Sequence, residues 1–328
     1  MSINRKLSYS LAINEALKQL MEEDASVFVL GQGVKSPWYV GNTCKDLIKL
    51  YGEERVIDTP ISENAMTGAA VGASLNGMKP IIMHPRVDFA LYAFDPIINQ
   101  AANWSYMNGG RASAPVVFWL VVNRGGEQAA QHSQSLHSLF AHIPGLKVIS
   151  PSTAYDVKGM LIAAINDPNP VVFIDDRWLY GSENIVPEDI YEIPIGKGII
   201  RELGTDVTLV SSSFLMQEAS KAAIELKQKG VSVELIDLRT IKPLDEDLIL
   251  ESVRKTGRLV VVDGSWKTNS ISSEISAIVN EKAFGVLKAP VARINLPDAP
   301  APAARTLEAA YYITKDMIVN TIMDVIDY

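Results

Sequence analysis

Along this chain, short continuous apolar runs alternate with stretches whose apolar positions recur at helical spacing. In 8–22, Leu11, Ala12, Ala16, Leu17 and Leu20 fall on one face, which predicts an amphipathic helix. VFVL at 27–30 predicts a short buried strand ending at Gly31, and 43–51 predicts another helix. A strand at 55–57 runs into Pro60, and a helix follows from about Glu63, with Ser62 placed to cap it. Next come a strand at 79–83 and helical periodicity over 89–107, interrupted at Asp95-Pro96, where Pro96 suits a first turn. PVVFWLVV at 115–122 is apolar throughout, as a strand covered on both faces must be. A polar loop at 123–134 precedes a strand at 146–150, a helix at 155–166 and a strand at 170–175.

The stretch 182–198 is charged and proline-containing, and predicts a linker, taken as 184–204, between domains at 1–183 and 205–328. Beyond it the alternation resumes. Strands are expected at 206–211, 231–236, 259–262 and 291–294, and helices at 216–229, 246–256, 272–284 and 314–325. LPDAPAPAAR at 296–305 reads as extended. The fold class expected is α/β, in two domains, each a mainly parallel sheet flanked by helices.

Composition narrows the function. The 328 residues suffice for two domains of ordinary size. A net charge of −8 favours neither a nucleic-acid partner nor an anionic membrane surface. Cys44 is the single cysteine, which excludes an intrachain disulfide and a cysteine-based metal cluster. No apolar run reaches the roughly 18 residues of a membrane-spanning helix. The N-terminal stretch lacks the apolar core of a secretion signal, so a cytoplasmic protein is expected.

Chemistry concentrates in two places. The helix behind DTPISE (58–63) is rich in small residues, with Gly68 and Gly72 on one face. Each mid-helix glycine costs about 1 kcal/mol against alanine. That cost is explained if another backbone, or a flat ligand, comes very close. Glu63 stands where the strand gives way to this helix, either complementing the helix dipole or working as a partnered carboxylate. The second place is a cluster of histidines. His132, His137 and His142 recur at intervals of five, which does not align them on one helical face, and no HExxH motif is present. His132 lies in a polar stretch just after a strand, where open α/β sheets place ligands. His137 reads as a loop or helix-surface group, His142 as part of a turn, and His84, before Pro85, as a weaker candidate. Phe89 is core or a ring that stacks on a ligand. Neither a G-x-G-x-x-G after a strand nor a P-loop occurs, so the chain brings no phosphate cradle of its own.

DTPISE with its glycine-alanine helix resembles the pyrimidine-binding domain of thiamine diphosphate enzymes. Five further segments are similar to the β subunit of the 2-oxo acid dehydrogenase decarboxylating component: AQHSQ (130–134), PGLKVISP (144–151), NPVVFIDDRWLYG (169–181), IDLRTIKPLD (236–245) and LPDAPAP. The resemblance covers essentially the whole chain, in order. It implies that Glu63 hydrogen-bonds a ring nitrogen of the cofactor's aminopyrimidine, that Phe89 packs on that ring, and that Pro85 touches it nearby. It implies that His132 faces substrate and a lipoyl group. Val116, Ala164, Ile165, Asp167 and Asn169 match positions that form a potassium site in some members, mostly through backbone carbonyls. The diphosphate and its Mg2+ would be held by a separate α subunit carrying GDG followed at a distance by Asn, in an α2β2 assembly served by a lipoyl-bearing dihydrolipoyl acyltransferase.

The chain departs from the family pattern at Gln32 and Met83, where many members carry acids thought to couple the two active sites. It also departs in SISSE (270–274), which lacks the usual glycines, and in HPRVDF (84–89). Two other readings remain open: the β half of a split transketolase-like enzyme without a lipoyl carrier, and a non-catalytic partner of an α chain.

Overall fold

The computed structural model describes residues 5–36 and 41–328. They form two compact units. One comprises the described residues of Met1–Arg124 with Leu139–Ile195; the other comprises Gly125–Ser138 with Gly196–Tyr328. Residues 1–4 of the N-terminal stretch lie outside the described residues.

In the first unit, six parallel strands run in the order Lys147–Ile149, Val171–Asp176, Val117–Val122, Lys79–His84, Val27–Gly31 and Val56–Asp58. Every residue of Val117–Val122 is buried, which accounts for its unbroken apolar run. Helix Tyr9–Glu23 packs on helix Ala154–Asn166. Ser8 caps the former, accepting from the Leu11 amide. Leu11 itself is 39% exposed, so the inward face is narrower than the sequence predicts. Lys158 on the latter helix is fully buried. Its ammonium donates to Glu15 Oε1 at 2.7 Å and to the carbonyls of Pro187, Glu188 and Asp189 at 2.8, 3.1 and 3.0 Å.

Two predicted helices are altered. The one expected at 43–51 is reduced to Leu47–Tyr51, because Asp46 takes a left-handed backbone (φ 64°) that ends any helical path before it. The one expected at 89–107 is a 3₁₀ segment Val87–Ala93, a π-helical segment Asp95–Ala101 and an α-helix Ala102–Met107. Pro96 sits in the first turn of the π segment, and its missing N–H and its ring prevent one continuous α-helix through this point.

In the second unit, Ala292–Leu296, Leu259–Trp266, Val207–Ser211 and Val233–Asp237 are parallel neighbours, and Ile199–Glu202 adds an antiparallel edge. Helices Leu215–Gln228 and Lys315–Asp327 cover one face with a continuous apolar core. Short strands therefore occupy both ends of the stretch expected to be a linker: Glu183–Ile185, paired with Lys6–Ser8, and Ile199–Glu202. The proline-rich segment is extended as expected, then turns into a short helix, Arg305–Tyr311, which sequence periodicity did not reveal.

Candidate active site

Glu63 opens helix Glu63–Ser74, four residues after the Thr59 amide donates to the Gly31 carbonyl at 3.1 Å. Ser62 is not the side-chain cap expected of it, since its hydroxyl makes no capping bond. Glu63 is half-buried, and Gln32 Nε2 donates to its Oε1 at 3.2 Å. The two side chains meet because their strands are neighbours. Gly31, ending one strand, pairs with Asp58, ending the next, and Asp58 Oδ1 accepts the Gly33 amide at 2.7 Å. Gly31 has a φ of 152°, and a Cβ there would lie 2.5 Å from the Met83 carbonyl oxygen, so only glycine lets the chain turn towards Glu63 at this point. Met83 is fully buried in the strand on the other side.

The same carboxyl-side edge carries His84, Pro85 and Phe89. His84 is fully buried, and burial pushes its pKa down to about 3, so the imidazole is neutral at ordinary pH. Its Nε2 lies 3.1 Å from Thr67 Oγ1 of the Glu63–Ser74 helix, while Nδ1 has no partner among the described residues. Pro85 is buried and Phe89 half-buried in the Val87–Ala93 segment, against which the Glu63–Ser74 helix packs. Glu63, Pro85 and Phe89 are thus brought to one edge. The glycine face of the helix points elsewhere. Ala65, Gly68 and Ala69 are exposed, and a Cβ on Gly68 or Gly72 would meet nothing within 4 Å among the described residues. No close neighbour of the kind these glycines lead one to expect covers them among the described residues.

Asp175, at the end of strand Val171–Asp176, is a buried acid not singled out by the sequence analysis. Trp119 Nε1 donates to it at 2.8 Å and the Tyr180 hydroxyl at 2.7 Å. Burial pushes its pKa up to about 7, overcoming both donors, with the neighbouring Asp176 adding to the rise. Asp176 itself pairs with Arg124 at 2.5 Å. The available signal was two consecutive acids closing an apolar strand.

His132 belongs to the other unit, half-buried in a turn of the Gly125–Ser138 segment. His137 corrects the expectation of a surface group. It is buried, with Nε2 2.8 Å from Asp263 Oδ1 and Nδ1 3.1 Å from Ser135 Oγ. His142 is exposed in the turn after helix His137–Ala141.

The residues matched to a potassium site converge at the opposite, amino-side end of the first sheet. The Val116 carbonyl accepts the Val171 amide at 3.0 Å, and the Ala164 carbonyl accepts the Asp167 amide at 3.4 Å. The Asp167 carboxylate is engaged by the Lys147 ammonium and by the Asn169 amide at 2.9 Å, while Ile165 is buried beside it at the helix end. Carbonyl oxygens carry a second lone pair, so any cation here would be held by backbone. Among the described residues, no three His, Cys, Asp or Glu side chains converge on a metal position.

Comparison with known proteins extends this geometry. Residues 5–182 match the family described as transketolase, pyrimidine binding domain, and residues 196–318 that described as transketolase, C-terminal domain. The chain is 47% identical over 317 residues to the acetoin:2,6-dichlorophenolindophenol oxidoreductase subunit beta of Cupriavidus necator, covering 94% of each. It is 40% identical to the pyruvate dehydrogenase E1 component subunit beta of Rickettsia felis, covering 97% of this chain and 99% of that one. It is also 40% identical to the 2-oxoisovalerate dehydrogenase subunit beta of Bacillus subtilis, covering 95% and 96%. A solved structure described as a split gene transketolase, inactive beta4 tetramer, superimposes with a TM-score of 0.81 over 98% of both chains. At 23% identity that likeness is one of fold.

Proposed function

The chain belongs to the transketolase-like family, among the β subunits of 2-oxo acid and acetoin dehydrogenases, and from that premise we propose that it is one half of a thiamine diphosphate enzyme. With an α subunit it would decarboxylate a 2-oxo acid and pass the acyl group to a lipoyl carrier. The observation that carries this reading is the state of Glu63. Its Oε1 takes the Gln32 amide, and Oε2 has no hydrogen-bond partner among the described residues. A half-buried carboxylate with one oxygen fixed and one available fits the nitrogen edge of an aminopyrimidine ring.

When bound, thiamine diphosphate supplies the electron sink for decarboxylation. Glu63 would hold the ring's nitrogen edge through Oε2 and share a proton with it, with Gln32 fixing the carboxylate's orientation from behind. Phe89 and Pro85 offer the flat apolar surface that keeps water from the ring. His132 moves a proton at its imidazole on the substrate and lipoyl side. The diphosphate and Mg2+ fall to an α subunit with GDG followed by Asn, since GDG does not occur in this sequence. The uncovered glycine face of the Glu63–Ser74 helix supports a closely packed partner in an α2β2 assembly. A dihydrolipoyl acyltransferase would carry the lipoyl group that accepts the acyl group, and K+ would sit on the carbonyls at Val116, Ala164, Ile165, Asp167 and Asn169. Among the described residues no helix is long and apolar enough to cross a membrane, and we place the enzyme in the cytoplasm.

The test is reconstitution with the α chain, assayed on pyruvate, branched 2-oxo acids and ketose phosphates. Turnover of a 2-oxo acid that drops by about 10²–10⁴ in Glu63→Gln is expected. Ketose phosphate turnover alone would replace this reading by ketol transfer, and full activity in Glu63→Gln would leave the chain a structural partner.

A further inference from the structure

We infer that Asp263, His137 and Glu308 are positioning residues for His132, clamping the segment that carries it onto the C-terminal domain from both sides. The catalytic part of this inference rests on the role proposed above for His132; the clamp itself does not.

The segment Gly125–Ser138 packs as part of the second unit rather than the first. At its start, the Gly125 amide donates to the Tyr312 hydroxyl at 2.9 Å. The Glu127 amide donates to both carboxylate oxygens of Glu308, at 3.1 and 3.0 Å. Glu308 is buried, carried there by the short helix Arg305–Tyr311. At the segment's end, His137 sits on Asp263 with both side chains almost wholly enclosed, at 6% and 2% exposure. Ser265 donates to both oxygens of the same carboxylate, through its amide at 3.0 Å and its hydroxyl at 2.8 Å. Ser138 Oγ accepts the Ile271 amide at 3.2 Å.

At and just after the first anchors the backbone is held in an unfavourable form. Gly125, Gly126, Glu127 and Ala129 have φ values of 69, 73, 62 and 61°. Glycine takes this region freely, but Glu127 and Ala129 do so at a cost that persists only where the surroundings over-determine it. The Gly125 and Glu127 anchors lie within this strained turn and the His137 anchor lies beyond it, with His132 midway between Glu127 and His137. A buried charged group with every oxygen engaged is a rigid fixture. Burial works to raise the Asp263 carboxyl's pKa, yet His137 and Ser265 hold it below the usual range.

Two readouts decide the matter. In the free chain, Asp263→Ala and Glu308→Ala should raise amide hydrogen exchange in residues 128–134 by roughly tenfold or more, leaving strand Val207–Ser211 unchanged. In the assembly with the α subunit, each should lower kcat for the 2-oxo acid by roughly tenfold or more. Asp263→Asn, which keeps an acceptor for His137, should restore most of that loss. In a His132→Ala background, Asp263→Ala should cost nothing further, because it acts through the residue already removed. Unchanged exchange in both variants overturns the clamp. A full additional loss in the His132→Ala background overturns positioning. A wild-type assembly that turns over no 2-oxo acid overturns the function proposed above and the catalytic half of this inference, while exchange still decides the clamp. Should Asp263→Ala fail to fold, Glu308→Ala makes the same test at the other anchor.

Discussion

Both parallel sheets end, at the carboxyl side of their strands, in the kind of crevice where open α/β folds take ligands, but the two edges are occupied differently. In the first unit the edge presents half-buried groups, Glu63 with one oxygen engaged, Gln32 behind it and Phe89, together with the buried Pro85. In the second unit the edge is filled by the protein's own Gly125–Ser138, with His137 seated on Asp263. Two buried aspartates in the carboxyl-side halves of their strands show the same contrast. Asp175 is pushed up to about 7, because burial and the adjacent Asp176 outweigh its two neutral donors. Asp263 is held below the usual range, because a histidine and Ser265 compensate for burial. One architecture thus leaves one edge partly open and uses the other as a fixture, and the hydrogen-bond complement of its acids tells them apart.

The largest effect expected is at the open edge. Glu63→Gln should cut turnover of the reconstituted enzyme by about 10²–10⁴ without altering amide exchange in Gly125–Ser138. Altered exchange there would show that the two edges do not work independently. Next comes Asp175. Its folded pKa lies above the unfolded value, so its contribution to stability is complete below about pH 4 and is lost as pH rises to about 7. Asp175→Asn should therefore gain on wild type across that window by something on the order of 2–4 kcal/mol, and by no more above it. Asp263 titrates on the acidic side of this window, so a urea-unfolding difference that is flat with pH would sink the contrast between the two acids. A smaller effect is expected on the glycine face. Gly68→Leu should leave the free chain as stable as wild type, or about 1 kcal/mol more so, since glycine is the poorer helix former. It should weaken association with the α subunit by roughly tenfold or more in sedimentation or light scattering. Smallest is Gln32→Glu, which sets a second carboxylate against Glu63. The acidic limb of the pH–rate profile should move up by about 1 unit or less.

Much of this was legible in the sequence. PVVFWLVV marked a central strand because a strand covered on both faces has no polar alternation. DTPISE singled out Glu63, which the structure brings to one strand edge with Pro85 and Phe89, while AQHSQ singled out His132, which lies in the other unit. What escaped the reading depends on partners distant in the chain. His137 looked like a surface group because nothing near it in sequence announces Asp263. Ser62 looked like a cap, but its backbone (φ −161°, ψ 67°) does not aim the hydroxyl at the first amides. The Ile199–Glu202 strand is too short for its alternation to stand out from a charged, proline-containing stretch, and only its pairing with Val233–Asp237 defines it. The 3₁₀ and π segments around Pro96 share one helical periodicity, so hydrophobic spacing cannot separate them.

Lys158 bears on anyone wishing to express the first unit by itself. Three of the four oxygens gripping its ammonium belong to the main chain of Pro187, Glu188 and Asp189. A fragment cut at residue 183 would strand a cation inside a dry interior with Glu15 as its sole counterweight, and it should come out insoluble. Carrying the fragment through Ile195 keeps that cage whole, so the useful excision point lies a dozen residues past the one that sequence punctuation recommends.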